Sequence, residues 1–322
     1  MNRPPPTPTP LYSAAASDGY TRQARGVAMG AADVVPGVSG GTIAVVLGIY
    51  ERLVDAIRGV SAAAGRLLRG DWRGCGQRLA GVDWWLVVPL LAGILGTILL
   101  LASVIETLLE DHPETMAGLF CGLVAASAVS ACRLFEWRGG DRITLMVASA
   151  VATFALLGLQ SGPVADPSLL VLAGAGAVAI CAMILPGISG AFLLLMLGMY
   201  GAVINVVTDL RYIDAVVFLA GAAVGLALFS TVLGRLLDRA RNPVMAVMVG
   251  LMAGSLRVLW PWPNGVGVIS RHENEIISGT GLDWPAAGEW LAPTLAAVAG
   301  LAAVLIITRL ARDRGSALEA EP

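Results

Sequence analysis

The chain has 322 residues, of which 57% are hydrophobic and 14% charged, with a formal net charge of −2. A soluble domain carries roughly 25% charged residues and a chain of this size still exposes about a quarter of its extended surface after folding; a mean hydropathy of +0.77 is incompatible with that in water. These values exclude a cytosolic enzyme, a secreted disulfide scaffold and a disordered protein, and the charge offers no field for nucleic acid.

Residues 1–20 open with MNRPPPTPTP, lack the apolar core of a signal peptide and read as a disordered tail. Two apolar stretches are interrupted: Val27–Tyr50 by PGVSGG at 36–41, and Ser168–Val207 by PGISGA at 186–191. Six further runs are long enough to cross a bilayer, at residues 84–105, 116–132, 143–159, 215–234, 244–260 and 291–308. Between the first broken stretch and the first span, residues 58–82 carry Arg66, Arg69, Trp72, Arg73 and Arg78 and read as an amphipathic piece on the inner surface. The four cysteines show no metal or redox spacing and read as small apolar residues.

All basic residues are arginine, and their placement orients the chain. Arginines flank Val27–Tyr50 on both sides, so this stretch enters and leaves on the cytoplasmic face as a re-entrant hairpin. Its two arms, Val27–Val35 and Gly41–Tyr50, would each rise only about 15 Å as helices, half a bilayer. Following the spans from there puts eighteen of the 21 arginines inside and leaves Arg211, Arg257 and Arg271 outside. Both termini are then cytoplasmic. The second stretch starts and ends outside, as a deep hairpin or as two thin spans.

The two broken stretches match each other. Ala32, Pro36, Gly37, Ser39, Gly40, Leu47, Gly48 and Tyr50 recur as Ala182, Pro186, Gly187, Ser189, Gly190, Leu197, Gly198 and Tyr200, at an offset of 150. Gly122-Leu-Val-Ala-Ala-Ser127 recurs as Gly250-Leu-Met-Ala-Gly-Ser255, at an offset of 128. The predicted fold is an all-α polytopic membrane protein built as an inverted repeat, each half one broken re-entrant helical hairpin plus three transmembrane helices. The first repeat covers 21–160 and the second 161–310, with residues 311–322 a cytoplasmic tail. Inverted repeats whose broken helices meet near the midplane characterise secondary transporters.

Irregular backbone at membrane depth must be surrounded by protein or line a cavity. Pro36 and Pro186 end one arm each, and Gly37 and Gly187 supply the turn. Ser39 and Ser189 are placed to cap the next helix, whose first N–H groups would suit a phosphate or carboxylate. Asp33 is an acid within an apolar arm, opposite Met183 in the repeat; it is a candidate proton acceptor, cation ligand or cap. Glu51 and Arg52 close the first hairpin at the inner interface. Arg257, near the outer end of a span and before Trp260-Pro-Trp-Pro263, is suited to bidentate phosphate binding or to snorkelling. GxSG is also the serine motif of intramembrane serine proteases, but that chemistry needs a nearby base. The two histidines, His112 and His272, fall in predicted outer loops. No metal-ligand spacing or Walker-type loop occurs, so no cofactor is expected.

The stretch Gly30-Ala-Ala-Asp-Val-Val-Pro-Gly-Val-Ser-Gly-Gly-Thr-Ile-Ala44, with Gly48-Ile-Tyr-Glu51, resembles the first signature of the PopT-type polyprenyl-phosphate transporters. Leu185–Gly190 with Leu197–Tyr200 resembles the second, and Gly250–Arg257 with Trp260-Pro-Trp262 a third. The similarity runs over roughly residues 24–310. It implies return of undecaprenyl phosphate from the outer to the inner leaflet of the bacterial plasma membrane, to recycle the lipid carrier of wall synthesis. It departs at Ala191, where the signature has a serine, so the second turn offers one hydroxyl fewer, and at Ala126-Ser127, where a Gly-Ser pair is expected. On this reading Ser39, Gly40, Gly41, Thr42, Ser189, Gly190 and Arg257 bind the phosphate, while Asp33, Glu51 and Arg52 couple or gate, with a proton or monovalent cation as the coupling species. The partners are the lipid and the bilayer; a homo-oligomer is left open. A small-anion transporter, an intramembrane serine hydrolase and a non-transporting scaffold for wall enzymes are the competing readings.

Labelling tests the topology. With the four native cysteines replaced, Ser39→Cys should react with an impermeant thiol reagent from one side of the membrane and Ser189→Cys from the other. Reaction of both from a single side would rule out opposed hairpins.

Overall fold

The computed structural model describes residue 23 and residues 25–30, 40–132, 140–159, 164, 166–262, 282–286 and 288–319. Every element among them is helical. After a helical turn at 25–30 come α1 (Gly40–Val46), α2 (Tyr50–Leu67), α3 (Trp72–Ala80), α4 (Trp84–Asp111), α5 (Pro113–Ala131) and α6 (Gly140–Leu156). The second half holds α7 (Leu169–Ile184), α8 (Gly190–Met196), α9 (Tyr200–Thr208), α10 (Tyr212–Ser255) and α11 (Leu291–Glu319).

Among the described residues three helices are long and apolar enough to cross a membrane: α4 over Trp84–Leu101, α5 and α10. The apolar helix α7 and residues Leu291–Ile306 of α11 are shorter. The chain is therefore a helical membrane protein. Large apolar side chains on the outer helices, such as Leu99, Leu170 and Ile213, stand exposed, as a lipid-facing surface requires. The core gathers instead around α5, whose Phe120, Val124 and Ala131 are buried together with Met248 and Met252 of α10.

The spans expected at 215–234 and 244–260 form one 44-residue element, α10. At 1.5 Å per residue it is about 66 Å long, more than two bilayer cores. It is two arms: Ala240 has φ −145° and ψ 50°, outside the helical region. Pro243 explains the break, since its ring displaces the carbonyl four residues back and it donates no N–H. At its C-terminal end, α11 continues as helix to Glu319, into residues expected as a tail.

Aspartates that the sequence reading did not single out start two of the helices. Asp71 accepts from the Gly74 N–H at 2.8 Å to start α3, and Asp83 accepts from the Leu86 N–H at 3.1 Å to start α4. Leu68 and Trp72, at the junction of α2 and α3, are 90% and 75% exposed, in keeping with a segment lying on the membrane surface.

Lipid gives helices no hydrophobic reason to associate, so close backbone approach must hold them. Glycine provides it. A Cβ at Gly122 of α5 would lie 1.9 Å from the Ala297 carbonyl of α11, and one at Gly250 of α10 would lie 1.9 Å from Ser149 Oγ of α6. Near the broken stretches, a Cβ at Gly26 would meet the Leu90 carbonyl at 2.4 Å and one at Gly176 the Phe218 carbonyl at 2.2 Å. Gly93 faces Gln23 as Gly221 faces Ala173. In each pairing, partners in the broken stretches differ by 150 residues and partners in the spans by 128, the two offsets present in the sequence. The turns coincide as well. Gly48 and Gly198, 150 residues apart, have φ of +67° and +68° and end the seven-residue helices α1 and α8.

A leucine at Gly122 must push α5 and α11 apart, at a cost of about 3 kcal/mol or more. Gly122→Leu should lower the detergent melting temperature sharply, whereas Gly96→Leu, with nothing within 4 Å of its Cβ position, should not. Equal melting of the two would contradict glycine-mediated packing.

Candidate functional site

The second broken motif is built by proline and glycine. Helix α7 stops at Ile184, and Leu185 is extended (φ −71°, ψ 130°), as the residue before a proline must be. Pro186 is fully buried. Gly187 turns the chain with φ +87°, and a Cβ there would lie 2.7 Å from the Met252 backbone of α10. The chain then doubles back, and a Cβ at Gly190 would sit 2.5 Å from the Ala179 carbonyl of α7. Helix α8 rises only about 10 Å, so this element does not cross a bilayer.

Two residues of the first motif complete that turn. Gly187 donates its N–H to Thr42 Oγ1 at 2.8 Å, a bond buried on both sides. Tyr50 donates its hydroxyl to the Ile184 carbonyl at 3.0 Å, one of the acceptors freed where α7 ends. Thr42 has no exposed surface and Tyr50 is 3% exposed. The start of α1, with buried Gly40 and Gly41, is thereby set against the Pro186–Gly187 turn. Ser189, partly buried, accepts the first helical bond of α8 from the Leu193 N–H at 3.0 Å through its carbonyl. Asp33, Pro36, Gly37 and Ser39 lie outside the described residues.

The charged residues after the first hairpin serve a different place. Glu51 pairs with Arg241, just past the Ala240 break, and Arg52 pairs with Asp83 at the start of α4. Arg58 bonds Asp238 at 2.9 Å and lies 3.9 Å from Asp55. These side chains are substantially exposed, so each pair contributes at most about 1 kcal/mol. Together they fasten α2 to the break in α10. Burial pushes the Asp55 carboxyl above the usual carboxylate range; Asp238 and Glu51 add to the rise and Arg58 opposes it.

Arg257 stands apart from the turn. Its guanidinium lies 4.6 Å from the centre of the Phe154 ring and donates to the Phe154 carbonyl at 3.3 Å. That is the face of α10 packed on α6, whereas Gly187 packs on Met252, five residues earlier.

The structure thus brings Thr42, Gly40, Gly41, Pro186 and Gly187 into one place, with Ser189 and Gly190 on the chain just beyond the turn, and puts Glu51, Arg52 and Arg257 elsewhere. Sequence reasoning placed Thr42 as a phosphate ligand and overlooked its hydroxyl as the acceptor for the opposite motif. It also overlooked Tyr50 as a partner, although Tyr50 and Tyr200 coincide in the repeat.

Replacing Thr42 by valine would leave the Gly187 N–H buried without its acceptor, a loss of about 1–3 kcal/mol. Thr42→Val should unfold at a lower denaturant concentration than wild type, and Thr42→Ser should match wild type. Equal unfolding of Thr42→Val and wild type would show that the bond carries no weight.

Residues 29–277 match the undecaprenyl phosphate translocase-like family. The chain is 39% identical over 242 residues to the polyprenyl-phosphate transporter of Vibrio cholerae serotype O1, covering 74% of this chain and 76% of that protein. It is 29% identical over 254 residues to the polyprenyl-phosphate transporter of Staphylococcus aureus, covering 74% of this chain and 84% of that one. No solved structure matches it. The matched region contains both broken motifs and Arg257, and the chain belongs to the undecaprenyl phosphate translocase-like family, a family of transporters rather than enzymes.

Proposed function

We propose that this protein carries polyprenyl phosphate across a bacterial plasma membrane, returning undecaprenyl phosphate from the outer to the inner leaflet for reuse in cell-wall synthesis. The relatives it matches over three quarters of its length are transporters of polyprenyl phosphate. The structural observation that carries the reading is the Gly187–Thr42 bond, which joins residues 145 apart in sequence. It sets the start of α1 against the Pro186–Gly187 turn in the protein interior, where a headgroup can be shielded while its tail stays in lipid.

The phosphate is held by Ser39, Gly40, Gly41 and Thr42 on one side and Ser189 and Gly190 on the other. The first turns of α1 and α8 sit at the positive ends of their helix dipoles, which favours an anion there. Arg257, away from that turn, offers the same headgroup a planar, permanently charged donor fork at another point of its path. The two halves form an inverted repeat that alternates exposure of the site, a reading supported by the recurrence of the same glycine contacts at the two sequence offsets. Both termini are cytoplasmic on the arginine distribution. The Glu51–Arg241 and Arg58–Asp238 pairs join the halves at one end and gate that side; weak, exposed pairs suit a contact that must open in each cycle. Asp33 couples the cycle to a proton or monovalent cation.

Proteoliposomes with fluorescent polyprenyl phosphate test this. The lipid should exchange between leaflets at least tenfold faster with protein than without, and Ser39→Ala combined with Ser189→Ala should abolish most of the gain. Glu51→Arg should slow exchange and the added Arg241→Glu should restore it. Uptake of a water-soluble anion without lipid exchange, or Ser39-dependent cleavage of a lipid or peptide, would overturn the proposal.

A further inference from the structure

At the end of α10 remote from the Ala240 break lies a recess of about 310 Å³. Its lining includes Phe154, Leu256, Arg257, Trp260, Asp283 and Trp284, and is mostly apolar. An arginine in such a place is costly unless its position is used. Here the position is set from three directions. The Phe154 ring lies under the guanidinium at 4.6 Å, and the Phe154 carbonyl accepts from it at 3.3 Å. The third is Gly158: a Cβ there would lie 2.6 Å from both the central carbon and one terminal nitrogen of Arg257. Only a residue without a side chain lets the guanidinium occupy that seat.

The opposite wall is equally ordered. Trp260 donates its indole N–H to the Asp283 carbonyl at 2.9 Å, which pins the 282–284 segment across the recess. Its ring meets Trp262 and Trp284 edge-on, with centroids 5.4 and 6.4 Å away. Trp284 is 86% exposed and forms the lip, where a tryptophan at a membrane interface belongs. Phe154 covers the face of the guanidinium, so a phosphate in the recess engages its in-plane N–H edge. Apolar walls around one fixed guanidinium match a monoester phosphate on an apolar tail better than a hydrated free phosphate.

Met252, which packs on the Gly187 turn, precedes Arg257 by five residues, a rise of about 7.5 Å. The recess lies just past Ser255, the last residue of α10, displaced from the Gly187 contact at Met252 and, on the arginine topology, toward the outer face.

We propose that this recess is a separate capture station, in which Arg257 takes the phosphate of an isoprenoid lipid from the outer leaflet before it reaches the broken motifs, and that Gly158 is the positioning residue that seats Arg257. The role as a first station rests on the transport reading above; the binding site itself does not. Capture at the surface lets an outer-leaflet lipid find the protein without prior opening of the interior.

The test is binding of farnesyl monophosphate to the full chain in nanodiscs, in a Ser39→Ala/Ser189→Ala background that weakens the broken motifs, followed by tryptophan fluorescence. Arg257→Lys and Gly158→Ala should each weaken binding about tenfold or more. The double variant should be no weaker than Arg257→Lys, because both act through one guanidinium. Gly96→Ala should bind as the background does. Melting temperatures separate this from misfolding, and Arg257→Lys, which keeps charge and length, serves if Gly158→Ala does not fold. Farnesol should not bind measurably, and inorganic phosphate should compete at least a hundredfold more weakly. Unchanged affinity in well-folded Arg257→Lys, additive losses in the double variant, or inorganic phosphate binding as tightly as the lipid would each overturn the proposal. Lipid exchange that survives these variants at unchanged half-saturation sinks the capture station and leaves transport standing; farnesyl phosphate binding that obeys the pattern without lipid exchange does the reverse.

Discussion

A helix that stops in a buried, apolar interior leaves N–H and C=O groups that its surroundings cannot satisfy, and the packing around Pro186 answers that problem. Helix α7 stops at Ile184 because Leu185 precedes a proline. The stop is tolerable because Thr42 and Tyr50, both from the other half of the chain, supply an acceptor for Gly187 and a donor for Ile184. The same bonds tie α1 and the start of α2 to the Pro186–Gly187 turn. On the transport reading proposed above, that cross-bracing keeps polar backbone protected where a headgroup would pass.

Packing around this centre relies on closeness rather than on hydrophobic drive. Pairs such as Gly122–Ala297 and Gly250–Ser149 bring helix backbones together where a methyl group would not fit. Such interfaces are sensitive to added volume and carry few polar side chains, so the helices can move against one another without breaking strong bonds. Ion pairs occur instead at the end of α10 near Ala240, where α2 meets the break and the side chains are exposed. The two ends of this arm of α10 thus differ in chemistry. One is closed by several weak opposite-charge contacts, and the other carries a single arginine held by an aromatic ring, a carbonyl and a missing side chain. That polarity accords with a carrier that receives an anionic headgroup at one face and opens at the other.

Much of this was legible in the residues alone. Hydropathy and arginine placement established a helical membrane chain, because twenty apolar residues in succession have few other solutions. The interruption at Pro186–Gly187 follows from local stereochemistry and stands in the structure as read, and the exposure of Trp72 agrees with the amphipathic pattern of residues 58–82. The offsets of 150 and 128, found as matching letters, reappear as matching contacts between Gly26 and Leu90 and between Gly176 and Phe218. The family followed from the same short motifs, since glycine, proline and serine at these spacings impose an unusual backbone.

What only the tertiary structure decided is where side chains from distant segments land. Thr42 also accepts from the opposite turn, and nothing local to residues 40–46 could disclose that this partner lies 145 positions away. Glu51 and Arg52, adjacent in sequence, diverge to Arg241 and Asp83, because neighbouring residues on a helix point in different directions. Gly158 drew no notice as one of 39 glycines, and its meaning depends wholly on the guanidinium of Arg257 that fills its missing side chain. Local pattern encodes where a chain turns and which solvent it prefers; the pairing of polar groups across the fold is a property of the packed helices, and it is there that this protein's chemistry is assembled.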